Sequence, residues 1–176
     1  MREIDAVFAT EEWVPLTRVS TLRSMLQGGR LKPRYSVWLW IRIMRTLAER
    51  HAASIVFGCI SPDFIFIDGE NNVRIEKSTS CSDEYVAPEV QAGAPPDYQA
   101  DIYSMGVVLF ELLTGSLESV GERRPAELDG DIPPWLDQLI LRCMEKDLKK
   151  RYRSTDDVSA ALMKLKRAGR AEESSE

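Results

Sequence analysis

Residues 102–113 constrain the fold more than any other part of the chain, because the helix they predict is apolar on nearly every side. Asp101 precedes them as the predicted helix cap, and Gly115 follows as the end signal. A helix on a protein surface carries a single apolar stripe, so a helix that is apolar all round must be enclosed by other elements. The sequence therefore predicts a central buried helix inside a helical domain.

Turn and cap signals predict the elements around this helix. Pro33 marks the start of a long helix, and Ser154 caps the last one. Asp68-Gly69 lies between two short apolar runs, which predicts a β-hairpin. The full set is helices over 22–27, 35–52, 102–113 and 154–166, one that begins at 133, and strands over 65–67 and 73–75. The predicted fold class is mainly α: a helical bundle around a central buried helix, with one or two short β-hairpin strands.

Length and charge narrow the class of protein. At 176 residues the chain fits one domain that can bury its own core. A net charge of −5 argues against sequence-independent nucleic-acid binding. The longest nearly uncharged apolar run, 102–110, is too short to span a bilayer, and no secretory signal pattern opens the chain. We expect a cytoplasmic protein with no nucleic-acid or membrane partner.

The cysteines and the single histidine give no metal-site pattern. Cys59, Cys81 and Cys143 lie far apart without a C-x-x-C pair, and His51 cannot complete a zinc site with them. We expect three reduced thiols, with Cys143 in the core. His51 is predicted as a half-buried residue at a helix end, without a catalytic partner.

Four segments, taken in order, resemble the C-terminal lobe (C-lobe) of a protein kinase. They are FGCISPDFIFID (57–68) for the catalytic loop, YVAPEV (85–90) for the Ala-Pro-Glu end of the activation segment, DIYSMGVVLFELLTG (101–115) for the central helix, and CMEKDLKKRYRS (143–154) for the Asp-x-x-x-Arg turn. The resemblance covers about 7–166. It divides the chain into a hinge-like segment (1–14), a kinase-like C-lobe (15–167) and a polar tail (168–176).

The resemblance implies that the catalytic groups have been replaced. Cys59 stands where the family has its catalytic base, and Ser61 where it has the lysine that steadies the transferred phosphate. Phe64 replaces the asparagine that binds the second magnesium, and Lys77 replaces the metal-binding aspartate. Asp63 is retained at a position that the family does not use as a base. The implied protein is a pseudokinase without enzyme activity, cofactor or metal.

Other residues of the resemblance are retained, and they imply structural roles. Glu89 and Arg151 match the buried ion pair that ties the activation segment to the late helices. Asp101 matches the residue that holds the backbone of the catalytic loop. The Gly-x-Gly-x-x-Gly loop of the N-terminal kinase lobe (N-lobe) has no counterpart in the sequence. In its architecture and in the catalytic groups that it lacks, the chain resembles the KIND domain, the non-catalytic C-lobe domain of the kinase fold. In the residues of its motifs it is similar to bacterial Ser/Thr kinases. Both lineages stay open.

A candidate interaction face follows from the same alignment. Val7 and Phe8 fall in the hinge-like segment, and Phe64 and Phe66 fall where the family has the nucleotide cleft. Aromatic residues there predict an apolar surface, and such surfaces bind other chains. We expect a protein partner of unknown identity, or self-association, through this face.

The sequence therefore predicts a non-catalytic kinase-like C-lobe that acts as a protein–protein interaction module with a scaffold or regulatory role. Two alternatives remain. One is a residual Ser/Thr kinase-like enzyme or nucleotide binder. The other is the C-lobe half of a split kinase-like protein, with its N-lobe on another chain or removed.

Overall fold

The computed structural model describes residues 19–173, and over this range the chain is mainly helical, as predicted. The helices are α1 (Leu22–Leu26), α2 (Pro33–Ala52), α3 (Pro88–Gln91), α4 (Tyr98–Thr114), α5 (Pro125–Leu128), α6 (Pro134–Cys143) and α7 (Thr155–Glu173), and the strands are β1 (Ser20–Thr21), β2 (Ile65–Ile67) and β3 (Val73–Ile75). Short 3₁₀ turns cover Pro62–Phe64 and Asp83–Tyr85. The hinge-like segment, with Val7 and Phe8, lies outside the described residues.

Helix α4 is the buried centre of the fold, as its all-round apolar surface predicts. The prediction of its cap was wrong. Asp97 caps the helix, and its Oδ1 accepts hydrogen bonds from the backbone N–H groups of Gln99 and Ala100 at 2.8 and 3.0 Å. Asp101 lies one turn further on and is fully buried. Its carboxylate accepts hydrogen bonds from the backbone N–H groups of Phe57 and Gly58, outside the helix, and so does not cap it. At the other end, Gly115 adopts φ 77°, the left-handed conformation that favours glycine.

Two helices pack closely against α4. Trp40 of α2 is buried, and its indole N–H donates to the backbone carbonyl of Met105 at 2.8 Å. Helix α6 packs against α4 where Gly106 faces Cys143 and Met144. The absence of a side chain at Gly106 lets the two helices approach, since a Cβ there would lie 2.7 Å from the Cβ of Cys143.

The β2–β3 hairpin forms with the predicted strand bounds. Its turn is closed by the Asp68 carboxylate, which accepts from the backbone N–H groups of Glu70 and Asn72 at 2.9 and 2.8 Å. The third strand, β1, was not predicted, because two residues are too few to show an alternating pattern. It pairs antiparallel with β2, with Thr21 opposite Phe66.

Helix α7 begins as predicted, since the Ser154 hydroxyl accepts from the backbone N–H of Asp157 at 3.1 Å. It ends at Glu173 rather than at 166, so most of the predicted polar tail is helical. Alanine, arginine and glutamate in 167–173 favour the helical state, which explains the extension. In the described part of the chain, no helix combines the length and apolarity that a bilayer span requires.

The contact at Gly106 generates a stability prediction. Gly106→Ala adds a methyl group against Cys143, and overpacking of this kind costs about 1–3 kcal/mol. The substitution also removes a helix-interior glycine, which is worth about 1 kcal/mol in its favour. We expect a net loss, measured as a lower urea midpoint. Gly130→Ala, where a Cβ meets nothing within 4 Å, is the control and should leave the midpoint unchanged.

Candidate functional site

The candidate site is the catalytic-loop region, residues 57–64, which lies between α2 and β2. The Asp101 carboxylate holds its start, accepting from the backbone N–H of Phe57 at 3.0 Å and of Gly58 at 2.6 Å. The Nε2 atom of His51 lies 2.9 Å from the same carboxylate. Asp101 thus joins α4 to the start of this region, and it is a partner for His51 that sequence reasoning missed.

Gly58 makes the tight turn that leads into position 59. Its φ is 82°, and a Cβ at this position would lie 2.9 Å from the Cβ of Pro96. Both facts favour glycine, since other residues rarely adopt this conformation and the space is filled. The backbone on the N-terminal side of Cys59 is therefore held by hydrogen bonds and by packing.

Cys59 is bonded to Cys81 in a disulfide, with a Cα–Cα distance of 6.4 Å. The expectation of three reduced thiols was therefore wrong for these two residues. The β2–β3 hairpin turns the chain back, which carries the following segment across the catalytic loop and brings the two residues together. Their separation of 22 residues matches no short motif, so the sequence carried no signal for the pairing. Cys143 is a free, buried thiol in the core, as expected.

The remaining positions that the resemblance equates with catalytic groups lie near the end of the hairpin. Ser61 is buried, at 3% exposure, and Phe64 is half-buried. The backbone N–H of Glu76 donates to the carbonyl of Phe64 at 2.9 Å, which brings Lys77 alongside the catalytic loop. Lys77 is exposed. The two positions that the resemblance equates with metal ligands are thus neighbours across the hairpin.

No cluster of three or more histidine, cysteine, aspartate or glutamate side chains within 19–173 is placed to hold a metal ion.

A network of charged and hydroxyl groups that sequence reasoning missed joins four parts of the site. The Arg23 guanidinium on α1 contacts Asp63 at 3.3 Å, Tyr85 at 2.8 Å and the buried carboxylate of Glu111. The Tyr85 hydroxyl also donates to Glu111, which lies on α4. The network therefore ties α1, the catalytic loop and the end of the activation segment to the central helix.

Burial and charge shift the ionisation of two members of this network. Burial would lower the pKa of Arg23, but its hydrogen bonds with Asp63, Glu111 and Tyr85 raise that pKa instead. Burial, followed by the hydrogen bond and charge of Glu111, raises the pKa of Tyr85. Arg23 therefore stays charged and Tyr85 neutral. Asp63, which is exposed, is engaged in an ion pair with Arg23.

The structure brings Glu89 and Arg151 together. The fully buried Arg151 guanidinium donates from Nη1 to Oε1 of Glu89 at 2.6 Å and from Nη2 to Oε2 at 2.9 Å. It also donates to the backbone carbonyls of Gln99 at 3.0 Å and Glu145 at 2.8 Å. This two-point geometry matches the planar fork of arginine and links α3, α4 and the turn before α7.

Of the predicted interaction face, the described residues include Phe64 and Phe66. Both are half-buried; Phe66 is the central residue of β2, and Phe64 ends the 3₁₀ turn that leads into this strand. The Arg74 guanidinium lies 4.9 Å from the centre of the Phe66 ring. This pair, directly opposite in the β2–β3 register, covers part of the face.

These features together define a protein-kinase-like C-lobe, and comparison with known proteins supports that class. A "probable serine/threonine-protein kinase" of Clostridium perfringens is 25% identical over 178 residues, covering 84% of this chain and 26% of the relative. Kinase PrkC of Bacillus subtilis is 26% identical, covering 77% of the chain and 26% of the relative. Kinase PknB of Mycolicibacterium smegmatis is 24% identical, covering 82% and 28%.

The resemblance to bacterial Ser/Thr kinases is confirmed by these matches, and the chain spans about a quarter of the length of these relatives. No family model matches the chain.

The Glu89–Arg151 pair generates a prediction about the fold. Arg151→Ala leaves the Glu89 carboxylate and two backbone carbonyls without their donor, and breaking such a pair typically costs about 3–5 kcal/mol. We expect a strongly lowered urea midpoint. Lys150→Ala removes an exposed cation one residue away and should hardly change it. Equal shifts for the two variants would contradict the structural role of Arg151.

Proposed function

We propose that this chain is a non-catalytic kinase-like C-lobe, a pseudokinase module that acts by binding another protein. The observation that carries the proposal is the bond between Cys59 and Cys81. Cys59 occupies the position at which protein kinases have their catalytic base. A sulfur atom in a disulfide cannot accept a proton as a carboxylate does. Loss of a catalytic group of this kind costs orders of magnitude in rate.

The residues at the two positions where protein kinases have magnesium ligands support the same proposal. Magnesium prefers oxygen ligands in octahedral geometry. Phe64 offers an aromatic ring, and Lys77 offers a cation that repels the ion. Asp63 lies close by, but its carboxylate is engaged by Arg23. A nucleotide would therefore reach this region without the metal bridge on which phosphoryl transfer depends.

We expect no phosphotransfer and no Mg-ATP binding at millimolar nucleotide. The measurement is a thermal-shift series with ATP alone, Mg²⁺ alone and both together, beside a radiolabel transfer assay. The melting temperature should be the same in all arms. A magnesium-dependent rise that Phe66→Lys abolishes and Lys150→Ala retains would overturn this prediction.

The half-buried aromatic pair supports the binding role. Phe66 lies in β2 and Phe64 two positions before it, in the turn that leads into the strand, and Thr21 and Arg74 lie opposite Phe66 in the register. An arginine stacked on an aromatic ring is a common pairing at protein interfaces, where both residue types often carry binding energy. We propose this face as the contact surface for a partner protein or for a second copy of the chain.

Phe66→Lys tests the face, because it places a cation where we propose apolar contact and beside Arg74. Light scattering should report an assembly for the wild type and a monomer for the variant, or affinity capture should recover a partner with the wild type alone. Arg45→Ala, an exposed change on α2, is the matched control and should behave as wild type. If both Phe66→Lys and wild type are monomers with the same captured partners, the contact surface lies elsewhere.

A further inference from the structure

The disulfide joins a rigid part of the molecule to an exposed one. On one side, Cys59 follows directly on Phe57 and Gly58, whose backbone N–H groups are held by the buried carboxylate of Asp101. On the other side, Cys81 lies in residues 77–84, called here the arm, which follows β3 and runs into the 3₁₀ turn at Asp83–Tyr85. The bond therefore fastens the arm to a fixed point.

The arm has little packing of its own. At its start, the backbone N–H of Glu76 donates to Phe64, and at its end Tyr85 is buried beneath α4. Between these points the exposed residues are Lys77, Thr79, Ser80, Ser82, Asp83 and Glu84. The hydroxyl of Ser78 donates to the carbonyl of Ser80 and accepts from its N–H, so these bonds stay inside the arm. Segments with few buried contacts open locally at low free-energy cost.

The third cysteine is separated from this pair. Cys143 is fully buried in the core, and burial raises the pKa of its thiol to about 12. The thiolate is the reactive form, so a thiol of this kind does not attack a disulfide at neutral pH. Cys59 and Cys81 are both half-buried, and they can exchange with external thiols without scrambling to a third partner.

We propose that Cys59–Cys81 is a reversible redox latch on the arm. In the oxidised protein the bond holds the arm across the catalytic-loop region. In the reduced protein the arm is released between Glu76 and Asp83, whose carbonyl accepts from the Gln91 side chain at 2.7 Å. The helical body keeps its structure through Asp101, Arg151 and the α4 core. The latch changes local mobility and access to the loop, not the fold.

The chemistry is a thiol–disulfide exchange with a dithiol reductant. One reductant thiolate attacks a sulfur of the pair, the S–S bond breaks, and the other cysteine leaves as a thiolate and takes up a proton. The second reductant thiol then attacks the mixed disulfide, which frees the remaining cysteine, and the reductant becomes a cyclic disulfide. The reverse reaction takes a small-molecule disulfide, such as oxidised glutathione, as the electron acceptor. Disulfides in reducing compartments are usually of this transient kind, which fits the cytoplasmic location expected from the sequence.

The rate of trypsin cleavage after Lys77 measures the state of the latch, because Lys77 is an exposed cleavage site within the arm. Cleavage after Lys77 separates Cys59 from Cys81, so nicked oxidised protein should migrate as one species until it is reduced on the gel. Reduction with dithiothreitol before digestion should accelerate cleavage after Lys77 by about tenfold or more. Cleavage after the fully buried Arg151 reports global unfolding and should not accelerate.

Cys81→Ser provides the matched variant. It should be cleaved after Lys77 as fast as reduced wild type, with or without reductant. Native alkylation of reduced wild type should label two cysteines and leave Cys143 unmodified. Any of three results would overturn the latch. They are three reactive thiols after treatment with oxidised glutathione, a rate of cleavage after Lys77 that does not change on reduction, and an equal acceleration of cleavage after Arg151. The comparison of oxidised with reduced wild-type protein needs no substitution, so it decides the question even if the variant fails to fold.

Discussion

The Asp101 carboxylate is buried in the first turn of α4, and much of the site depends on it. Removing a charge from water is costly unless hydrogen-bond donors replace the lost solvation. Here the donors are two backbone N–H groups of the catalytic-loop region, at Phe57 and Gly58, and His51 lies against the same carboxylate. Because the carboxylate needs these donors, the loop is fixed to the central helix whatever side chain stands at position 59.

Buried charged groups with charged partners hold other parts of this fold together. Arg151 and Glu111 are buried charged groups whose partners are also charged, and losing one partner leaves the other without solvation. Cys59, Phe64 and Lys77 are exposed or half-buried, whereas Ser61, the fourth position that the resemblance equates with a catalytic group, is buried. These ion pairs involve none of the four positions that the resemblance equates with catalytic groups.

Local signals predicted much of this fold, and contacts between distant residues were harder to predict. The hairpin from Asp68-Gly69, the central helix and the Ser154 cap each follow from a few adjacent residues. His51 and Asp101 are 50 positions apart, and Arg23 and Glu111 are 88 positions apart. No local sequence motif therefore indicates either contact. The resemblance supplied roles for Asp101 and for Arg151, but it gave no indication of the Cys59–Cys81 bond. The cap of α4 was misplaced because Asp97 and Asp101 lie one turn apart and both fit the start of a helix.

The Cys59–Cys81 bond closes a covalent ring around the β2–β3 hairpin, with 22 residues of separation inside it. Under a pulling force applied at the chain termini, residues within a closed ring cannot extend. Fully extended chain spans about 3.3–3.6 Å per residue, so the ring withholds roughly 70 Å of contour length from the stretched molecule. The thiol state therefore sets how long this chain becomes when it is unfolded mechanically, as well as how mobile its arm is when it is folded.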